Sequence, residues 1–184
     1  MIFQARTISL KDGRTCILRP VEVKDAADMI EYLRISSGET PFLLRYADEI
    51  TFTVESEEQF LESKRNDPRE LMMVAEIDGV IAGNCGIMTL GNLRRVYHRC
   101  EFAIALVEAY WHLGIASAMM TYAFELAKEM GYEQAELAVV EGNQRAKALY
   151  EHFGFQETGK HLHALKYDDG SYRDEYTMVK FLYK

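Results

Sequence analysis

The chain has 184 residues, of which 48% are hydrophobic and 27% are charged, and its formal net charge is −8. This length suits one domain with an ordinary hydrophobic core, so we expect residues 1–184 to form a single domain. The acidic balance argues against a nucleic-acid-binding protein, which normally carries a basic stripe.

Membrane, metal and disulfide signals are all weak in this sequence. The longest apolar run without a charge, residues 113–124, is shorter than the roughly 20 residues that span a bilayer. The N-terminus MIFQARTISL lacks the apolar region of a signal peptide. Cys16, Cys85 and Cys100 are widely spaced and form no CxxC pair, which is typical of core cysteines. We therefore expect a cytoplasmic protein with no metal and no membrane partner.

The first part of the chain predicts a hairpin followed by a helix. Strand-forming residues flank Asp12-Gly13, a pair that favours a tight turn. Residues 24–38 then have the pattern of a helix, with Asp25 as its N-cap and Gly38 as the residue at which it ends.

The middle of the chain predicts a second helix and three strands. The polar segment 54–68 is typical of a helix that is ended by Pro68. Two apolar runs joined at Asp78-Gly79 predict another hairpin. Residues 96–107 predict a third long strand of this region.

Helices and strands alternate in the last part of the chain. Residues 113–130 carry an apolar stripe at helical spacing and are followed by Gly131 as a cap. A strand over 134–140, a helix over 143–153 and a closing hairpin follow. Only the unit over 99–140 needs parallel strands, so we expect an α/β fold with a mixed sheet and helices on both faces.

The segment EAYWHLGIASAMM, residues 108–120, joins a predicted strand to a predicted helix through small residues. A helix start offers free backbone N–H groups and a positive dipole end, which together suit a phosphate. Gly114, Ala116 and Ser117 would let a phosphate approach that backbone. Alternatively, Gly114 only forms the turn and Ala116 packs against the sheet. The sequence lacks G-x-x-x-x-G-K-[ST] and G-x-G-x-x-G, which argues against common nucleotide loops.

An acidic residue, Glu101, interrupts the apolar strand before this segment. Period-2 alternation places it on one face with Ala103 and Ala105. A carboxylate in an apolar strand normally needs a basic partner such as Arg99. The alternative is a carboxyl whose pKa is raised by apolar surroundings, so that it acts as a base near neutral pH.

The segment EGNQRAKALYEHFGF combines a helix start with a tyrosine. Asn143 suits an N-cap, and Tyr150 stands seven residues later, on the same helical face. A tyrosine on an amphipathic helix is usually a core residue with a satisfied hydroxyl. The other interpretation places its hydroxyl at a site beside Asn143.

Together these motifs resemble the GNAT superfamily of acetyl-CoA-dependent N-acetyltransferases. YWHLGIASAMM is similar to its phosphate-binding turn, Q/R-x-x-G-x-G/A, and GNQRAKALYEHFGF to its next motif, with Asn before Ala and Tyr and then Gly-Phe. EFAIALVEAY matches the strand on which many members carry a catalytic Glu. Trp111 departs from the pattern by replacing Gln or Arg, and His112 stands where Gly is common. Because that loop acts mainly through backbone N–H groups, we expect binding to survive.

The resemblance implies a fold and an activity. The fold is a mixed, mostly antiparallel central sheet of about seven strands with about four helices on both faces. The activity is direct transfer of the acetyl group of acetyl-CoA, in a ternary complex and without a metal, to a primary amine of a small molecule or peptide. A homodimer is compatible with it. The alternatives are a non-catalytic acyl-CoA-binding sensor and a protein N-terminal acetyltransferase, whereas a Rossmann-like binder would need a Gly-rich turn after the first strand.

The resemblance also implies roles for individual residues. Glu101 would remove a proton from the amine, Tyr150 would protonate the departing thiolate, and the N–H of Leu106 would polarise the thioester carbonyl. The pantetheine arm would lie like a strand beside residues 105–107. The residues implied in cofactor binding are Leu106, Val107, His112, Leu113, Gly114, Ile115, Ala116, Ser117 and Asn143.

We expect the acceptor pocket to form from the loop over residues 38–50 and from the closing hairpin. Acidic and aromatic side chains in these segments suit an amine such as a polyamine, an aminoglycoside-like drug or a protein N-terminus. The alternative is that the acidic residues are solvated loop charges. The candidates are Glu39, Asp48, Glu49, Asp168, Asp169, Asp174 and Glu175, with Phe42, Tyr46 and Tyr172.

Overall fold

A computed structural model describes residues 1–183, which form eight strands and four α-helices. The strands are β1 (Arg6–Ser9), β2 (Thr15–Pro20), β3 (Leu71–Ile77), β4 (Val80–Thr89), β5 (Arg99–Leu106), β6 (Gln134–Val140), β7 (Gln156–Lys166) and β8 (Tyr172–Phe181). The helices are α1 (Ala26–Glu39), α2 (Val54–Asn66), α3 (Ile115–Glu129) and α4 (Gln144–His152). The predicted order of elements is therefore confirmed.

All eight strands belong to one sheet, in the order β1-β2-β3-β4-β5-β6-β8-β7. Only β5 and β6 pair in parallel, and every other neighbouring pair is antiparallel. The mixed, mostly antiparallel sheet is thus confirmed. It has eight strands rather than about seven, because β1 extends the sheet beyond β2.

The two predicted tight turns have the backbone conformation that their sequences favour. Asp78 and Gly79 both have positive φ, at 51° and 82°, as a two-residue hairpin turn requires. Gly13 likewise has a φ of 89° in the turn between β1 and β2. The turn residues therefore fix these two hairpins locally.

The predicted N-cap position of α1 is confirmed, but the bonds of Asp25 and the end of the helix differ from the prediction. Asp25 occupies the N-cap position, but its buried carboxylate makes no capping bond to the first turn. It instead accepts hydrogen bonds from the Arg19 guanidinium at 2.7 and 2.9 Å and from the Glu22 N–H at 2.8 Å. Gly38 does not end the helix, because it lacks the positive φ of a helix terminus and the chain leaves at Thr40 in an extended conformation.

The helices cover both faces of the sheet, as expected. Alternation along β3 sends Met73 into the core under α3 and α4, and Val74 into a second core under α1 and α2. The predicted apolar stripe of α3, which includes Met119 and Leu126, is buried. The three cysteines are free and buried, as predicted for core residues. Within residues 1–183, no helix is long and apolar enough to cross a membrane.

Strands β5 and β6 separate shortly after they begin to pair. On its other edge, β5 pairs with β4 from Cys100 to Leu106. Its pairing with β6 covers only Arg99, Cys100 and Glu101. The second half of β5 therefore has one edge that no strand within residues 1–183 occupies.

Candidate active site

A cleft of about 490 Å³ lies where β5 and β6 separate. Its walls come from β5, from the end of β6 and from the N-terminal turns of α3 and α4. The predicted residues that line it are Glu101, Leu106, His112, Gly114, Ile115, Ala116, Ser117, Asn143 and Tyr150. The structure thus brings residues from three separate motifs to one place.

The free edge of β5 presents backbone groups to this cleft. The Val107 N–H donates to the Ala82 carbonyl at 3.0 Å, so it points towards β4. Because successive amides along a strand point to opposite edges, the Leu106 N–H points towards the cleft. The Leu106 carbonyl accepts a hydrogen bond from the Trp111 indole N–H at 2.8 Å.

Two of the predicted cofactor-binding residues do not line the cleft. The Val107 side chain is buried in the core under α1 and α2, and its N–H is taken by Ala82. The Val107 N–H is therefore not free for a cofactor, in contrast to the Leu106 N–H. The Leu113 side chain packs against the main core, and its carbonyl accepts a long hydrogen bond from the Lys11 N–H at 3.5 Å.

Helix α3 begins at the cleft with free N–H groups. Gly114 is its N-cap, with a φ of 92°, and the first intrahelical bond recorded there is from the Ala118 N–H to the Gly114 carbonyl, at 3.1 Å. The N–H groups of Ile115, Ala116 and Ser117 precede that bond and are unpaired by the helix. The first turn contains no acidic residue. A Cβ added at Gly114 would meet no atom closer than Lys11 Cε, at 4.0 Å, so space remains in front of this backbone.

The second helix start, at α4, brings Asn143 and Tyr150 to the same cleft. Asn143 is the N-cap, and its side chain accepts from the Ala146 N–H at 3.2 Å, as predicted. Tyr150 has a buried ring that packs on Phe155. Its hydroxyl makes no hydrogen bond within residues 1–183 and is not enclosed. Tyr150 therefore has a core ring, but its hydroxyl is not satisfied by the protein.

Burial raises the pKa of Tyr150 to about 12. The ordinary pKa of a tyrosine is near 10, and the loss of water around the ring disfavours the phenolate. The phenol is therefore protonated throughout the neutral range. In that state its O–H is a hydrogen-bond donor that faces the cleft.

Glu101 lies in the cleft wall but not in the setting that the sequence suggests. Its side chain is exposed, so the expected apolar surroundings are absent. Arg99 is not its partner either, because the Arg99 guanidinium pairs with Glu136 on the neighbouring strand β6, at 2.7 Å. Glu101 thus sits on the open face of the sheet, together with Ala103 and the small residues of β5.

Most of the predicted acceptor acids serve local structure. Asp174 pairs with Lys160 at 2.7 Å, and Glu39 accepts from the Glu108 N–H at 2.7 Å. Glu49 and Asp169 accept from nearby backbone N–H groups. Within that set of acids and aromatics, Glu175 and Phe42 line the cleft.

Sequence reasoning missed two cationic residues of the cleft, Lys11 and Arg145. Lys11 comes from the turn between β1 and β2, and nothing in the sequence connects that turn to α3. Arg145 lies in the first turn of α4, where a cation opposes the helix dipole, and that is a signal which could have been noticed. Its guanidinium stacks on the Trp111 ring, 3.1 Å from the ring centre. Among residues 1–183, no group of His, Cys, Asp and Glu side chains could hold a metal ion.

Comparison with known proteins agrees with this geometry. Residues 38–155 match the model of the acetyltransferase (GNAT) family. The chain belongs to this family. Its fold is shared with a GNAT-family acetyltransferase from Streptococcus pneumoniae, at 30% identity and a TM-score of 0.85, over 90% of this chain and 99% of that one.

Two further comparisons concern a relative in sequence and a solved structure with the same fold. YdaF of Bacillus subtilis, named as a candidate ribosomal N-acetyltransferase, is 30% identical over 118 residues, which are 58% of this chain and 62% of YdaF. The chain thus matches less than two thirds of that relative's length. The acetyltransferase candidate yncA of Salmonella typhimurium, solved with its cofactor acetyl-CoA, shares the fold at 16% identity and a TM-score of 0.78, over 91% and 94% of the two chains.

Proposed function

We propose that this protein transfers the acetyl group of acetyl-CoA directly to a primary amine of a small molecule or peptide, in a ternary complex. The observation that carries the proposal is the free edge of β5 leading to the open start of α3. An extended arm with backbone-like amides can pair with such an edge. A diphosphate can bind at such a helix start.

The cofactor would be held mainly by backbone groups. The N–H groups of Ile115, Ala116 and Ser117 would bind the diphosphate, with His112 and Gly114 completing the turn. Space in front of Gly114 supports this assignment, because an added Cβ there meets no atom closer than Lys11 Cε, at 4.0 Å. Acetyl-CoA would supply an acetyl group activated as a thioester.

Leu106 and Tyr150 would stabilise the charges that develop during transfer. The reaction forms a nitrogen–carbon bond and breaks the carbon–sulfur bond. The Leu106 N–H would donate to the carbonyl oxygen as it becomes negative. Tyr150 would donate its O–H to the leaving thiolate. Since a phenol with a pKa of about 12 holds its proton more tightly than a thiol does, donation of a hydrogen bond matters more here than complete proton transfer.

The proton lost by the amine would leave through Glu101 by way of water. Glu101 precedes Leu106 by five residues, which is about 16 Å along an extended strand. Its carboxylate cannot span that length, so contact between Glu101 and an amine attacking near Leu106 would require ordered water. Its exposure in the cleft wall is compatible with such a path.

Glu175 is better positioned than Glu101 to hold the ammonium of the acceptor. Glu101 stands opposite Glu136 in the last pair before β5 and β6 separate, and Val140 follows four residues later on the same face of β6. Glu175 pairs with Val140 and lines the cleft, so it lies beyond the point at which the two strands separate. No cationic side chain within residues 1–183 forms an ion pair with it. We include it as the acceptor-binding carboxylate.

The acceptor class separates this proposal from its alternatives. A cleft lined by both a carboxylate, Glu175, and the Phe42 ring suits an alkyl amine. Among such amines, the name of YdaF favours a peptide N-terminus. A non-catalytic sensor would need neither Tyr150 nor an acceptor carboxylate. Cytoplasmic location and a homodimer stay predictions.

The proposed function is tested by incubating the protein with acetyl-CoA and a panel of amines and measuring the free thiol that is released. We expect release from acetyl-CoA with at least one alkyl amine or peptide N-terminus, and none with matched alcohols. We also expect acetyl-CoA to raise the melting temperature far more than ATP or NADH, because only native protein binds it. Equal shifts with ATP, or no shift with acetyl-CoA, would contradict the proposal.

A further inference from the structure

Arg145 is a cation in an unusual position. It belongs to the first turn of α4, which contains no acidic residue, so its charge faces the positive end of the helix dipole. Its guanidinium makes no hydrogen bond and no ion pair within residues 1–183. Partial desolvation lowers the pKa of Arg145, and the nearby Glu108 carboxylate opposes this shift but forms no ion pair with it within the described residues, so the guanidinium edge stays open to a ligand.

The Trp111 ring fixes this guanidinium at the mouth of the cleft. The ring centre lies 3.1 Å from the Arg145 guanidinium carbon, within the range of a cation–π contact. The indole N–H of Trp111 donates to the Leu106 carbonyl at 2.8 Å, which holds the ring in place. Both residues line the cleft. The stack therefore favours one position for the exposed Arg145 side chain at the cleft before a ligand binds.

This pair stands beside the helix start that has free N–H groups. Trp111 precedes Gly114 by three residues, and its contact with Arg145, in the first turn of α4, brings the starts of α3 and α4 close together. Two helix starts, each with a positive dipole end, thus converge with an unpaired guanidinium. A planar guanidinium recognises phosphate oxygens in a paired geometry that an ammonium cannot match.

We propose that Arg145, held by Trp111, is the side-chain anchor for the diphosphate of the CoA substrate. The inference rests on the proposed function, since it assigns one residue to the same cofactor site. Trp111 stands where the phosphate-binding turn usually carries Gln or Arg. The stacked arginine from α4 restores a polar donor to that position from a different part of the chain.

Calorimetric titration with acetyl-CoA tests the assignment without knowledge of the acceptor. We expect Arg145→Gln to weaken acetyl-CoA binding at least tenfold and Arg145→Lys to weaken it by a smaller factor. The matched control is Arg6→Gln, because Arg6 also stacks on an aromatic ring, 3.5 Å from the centre of Tyr122, but lies outside the cleft. The control should bind acetyl-CoA within twofold of wild type.

Truncated cofactors identify the group that Arg145 contacts. The Arg145→Gln loss should persist with acetyl-dephospho-CoA, which keeps the diphosphate, and should disappear with acetyl-pantetheine, which lacks it. A loss that vanishes with the dephospho compound would overturn the assignment in favour of the 3′-phosphate. An equal loss with acetyl-pantetheine would overturn it in favour of a folding defect.

The single tryptophan of the chain provides an independent signal. Because Trp111 is that tryptophan, acetyl-CoA should change the intrinsic emission of wild type, and the change should be reduced in folded Arg145→Gln. Unaltered acetyl-CoA affinity in that variant would refute the role of Arg145. Failure of wild type itself to bind acetyl-CoA would instead refute the proposed function.

Discussion

The Tyr150 hydroxyl is a side-chain group whose role can be isolated by a small change. Tyr150→Phe removes one oxygen and keeps the buried ring against Phe155. Acetyl-CoA affinity should therefore stay within twofold, while kcat falls by a factor on the order of 10² to 10⁴, as for loss of a catalytic donor. Steady-state kinetics with an accepted amine measure this.

The pH profile adds a second readout for Tyr150. Because burial raises its pKa to about 12, the phenol is protonated from pH 6 to pH 10, and it should impose no alkaline decline in that range. The kcat ratio between wild type and Tyr150→Phe should thus be constant from pH 6 to pH 10. Tyr122→Phe is the control, because the Tyr122 hydroxyl donates to the Gln4 carbonyl away from the cleft. A near-wild-type kcat for Tyr150→Phe would show that the Tyr150 hydroxyl has no catalytic role and that the residue serves only the core.

Helix α3 depends on Gly114 for its start and on Gly131 after its end. Both have positive φ, at 92° and 83°, and neither has a neighbour closer than 4.0 Å to an added Cβ. Alanine at either position should lower the free energy of unfolding by about 1 kcal/mol, because a Cβ is disfavoured at positive φ. Denaturant titration of both variants measures this common cost.

Cofactor binding should separate the two glycines. Gly114→Ala places a methyl group in the space before the first N–H groups of α3, so acetyl-CoA affinity should fall at least tenfold. Gly131→Ala should bind normally, since it lies at the opposite end of the helix. If both folded variants bind acetyl-CoA equally well, the diphosphate does not lie against the start of α3.

Local signals explain which elements could be predicted. Asp78-Gly79 fixes its hairpin through its own backbone preference, and the N-cap bond of Asn143 lies within one turn. The N-cap position of Asp25 could be predicted, but the bonds of its carboxylate could not, because its partner Arg19 comes from β2 and a short-range pattern does not contain that contact. The Arg145 stack likewise depends on Trp111, 34 positions earlier in the sequence.

Whether the Glu101 face of β5 is covered by a helix or open was the hardest feature of the site to predict. Alternation along β5 groups Glu101 with Ala103 correctly, but it does not say whether that face is covered by a helix or open. The sequence therefore suggested a buried acid where the structure has an exposed one. The role of Glu175 depends on register across β6, which only the folded sheet defines.

Positive and negative side chains line different parts of the cleft, which suits an anionic cofactor and a cationic acceptor. Lys11 and Arg145 stand at the end of the cleft where α3 and α4 begin, although the chain as a whole is acidic. The carboxylates of Glu101 and Glu175 lie on the open face of the sheet. The anionic cofactor would thus bind beside the cationic residues, and the cationic acceptor beside the carboxylates.

Hydrogen–deuterium exchange with and without acetyl-CoA tests the central claim, that backbone amides of β5 and α3 bind the cofactor. Saturating acetyl-CoA should slow exchange at least tenfold at the Leu106 amide and at the amides of residues 115–117, which the strand pairing with β4 and the helix leave free. Peptides covering residues 102–107 and 112–118 report this protection. The outer edge of β7, Gln156–Lys166, should exchange as before. Protection confined to other segments, or none at residues 112–118 at saturation, would contradict the account.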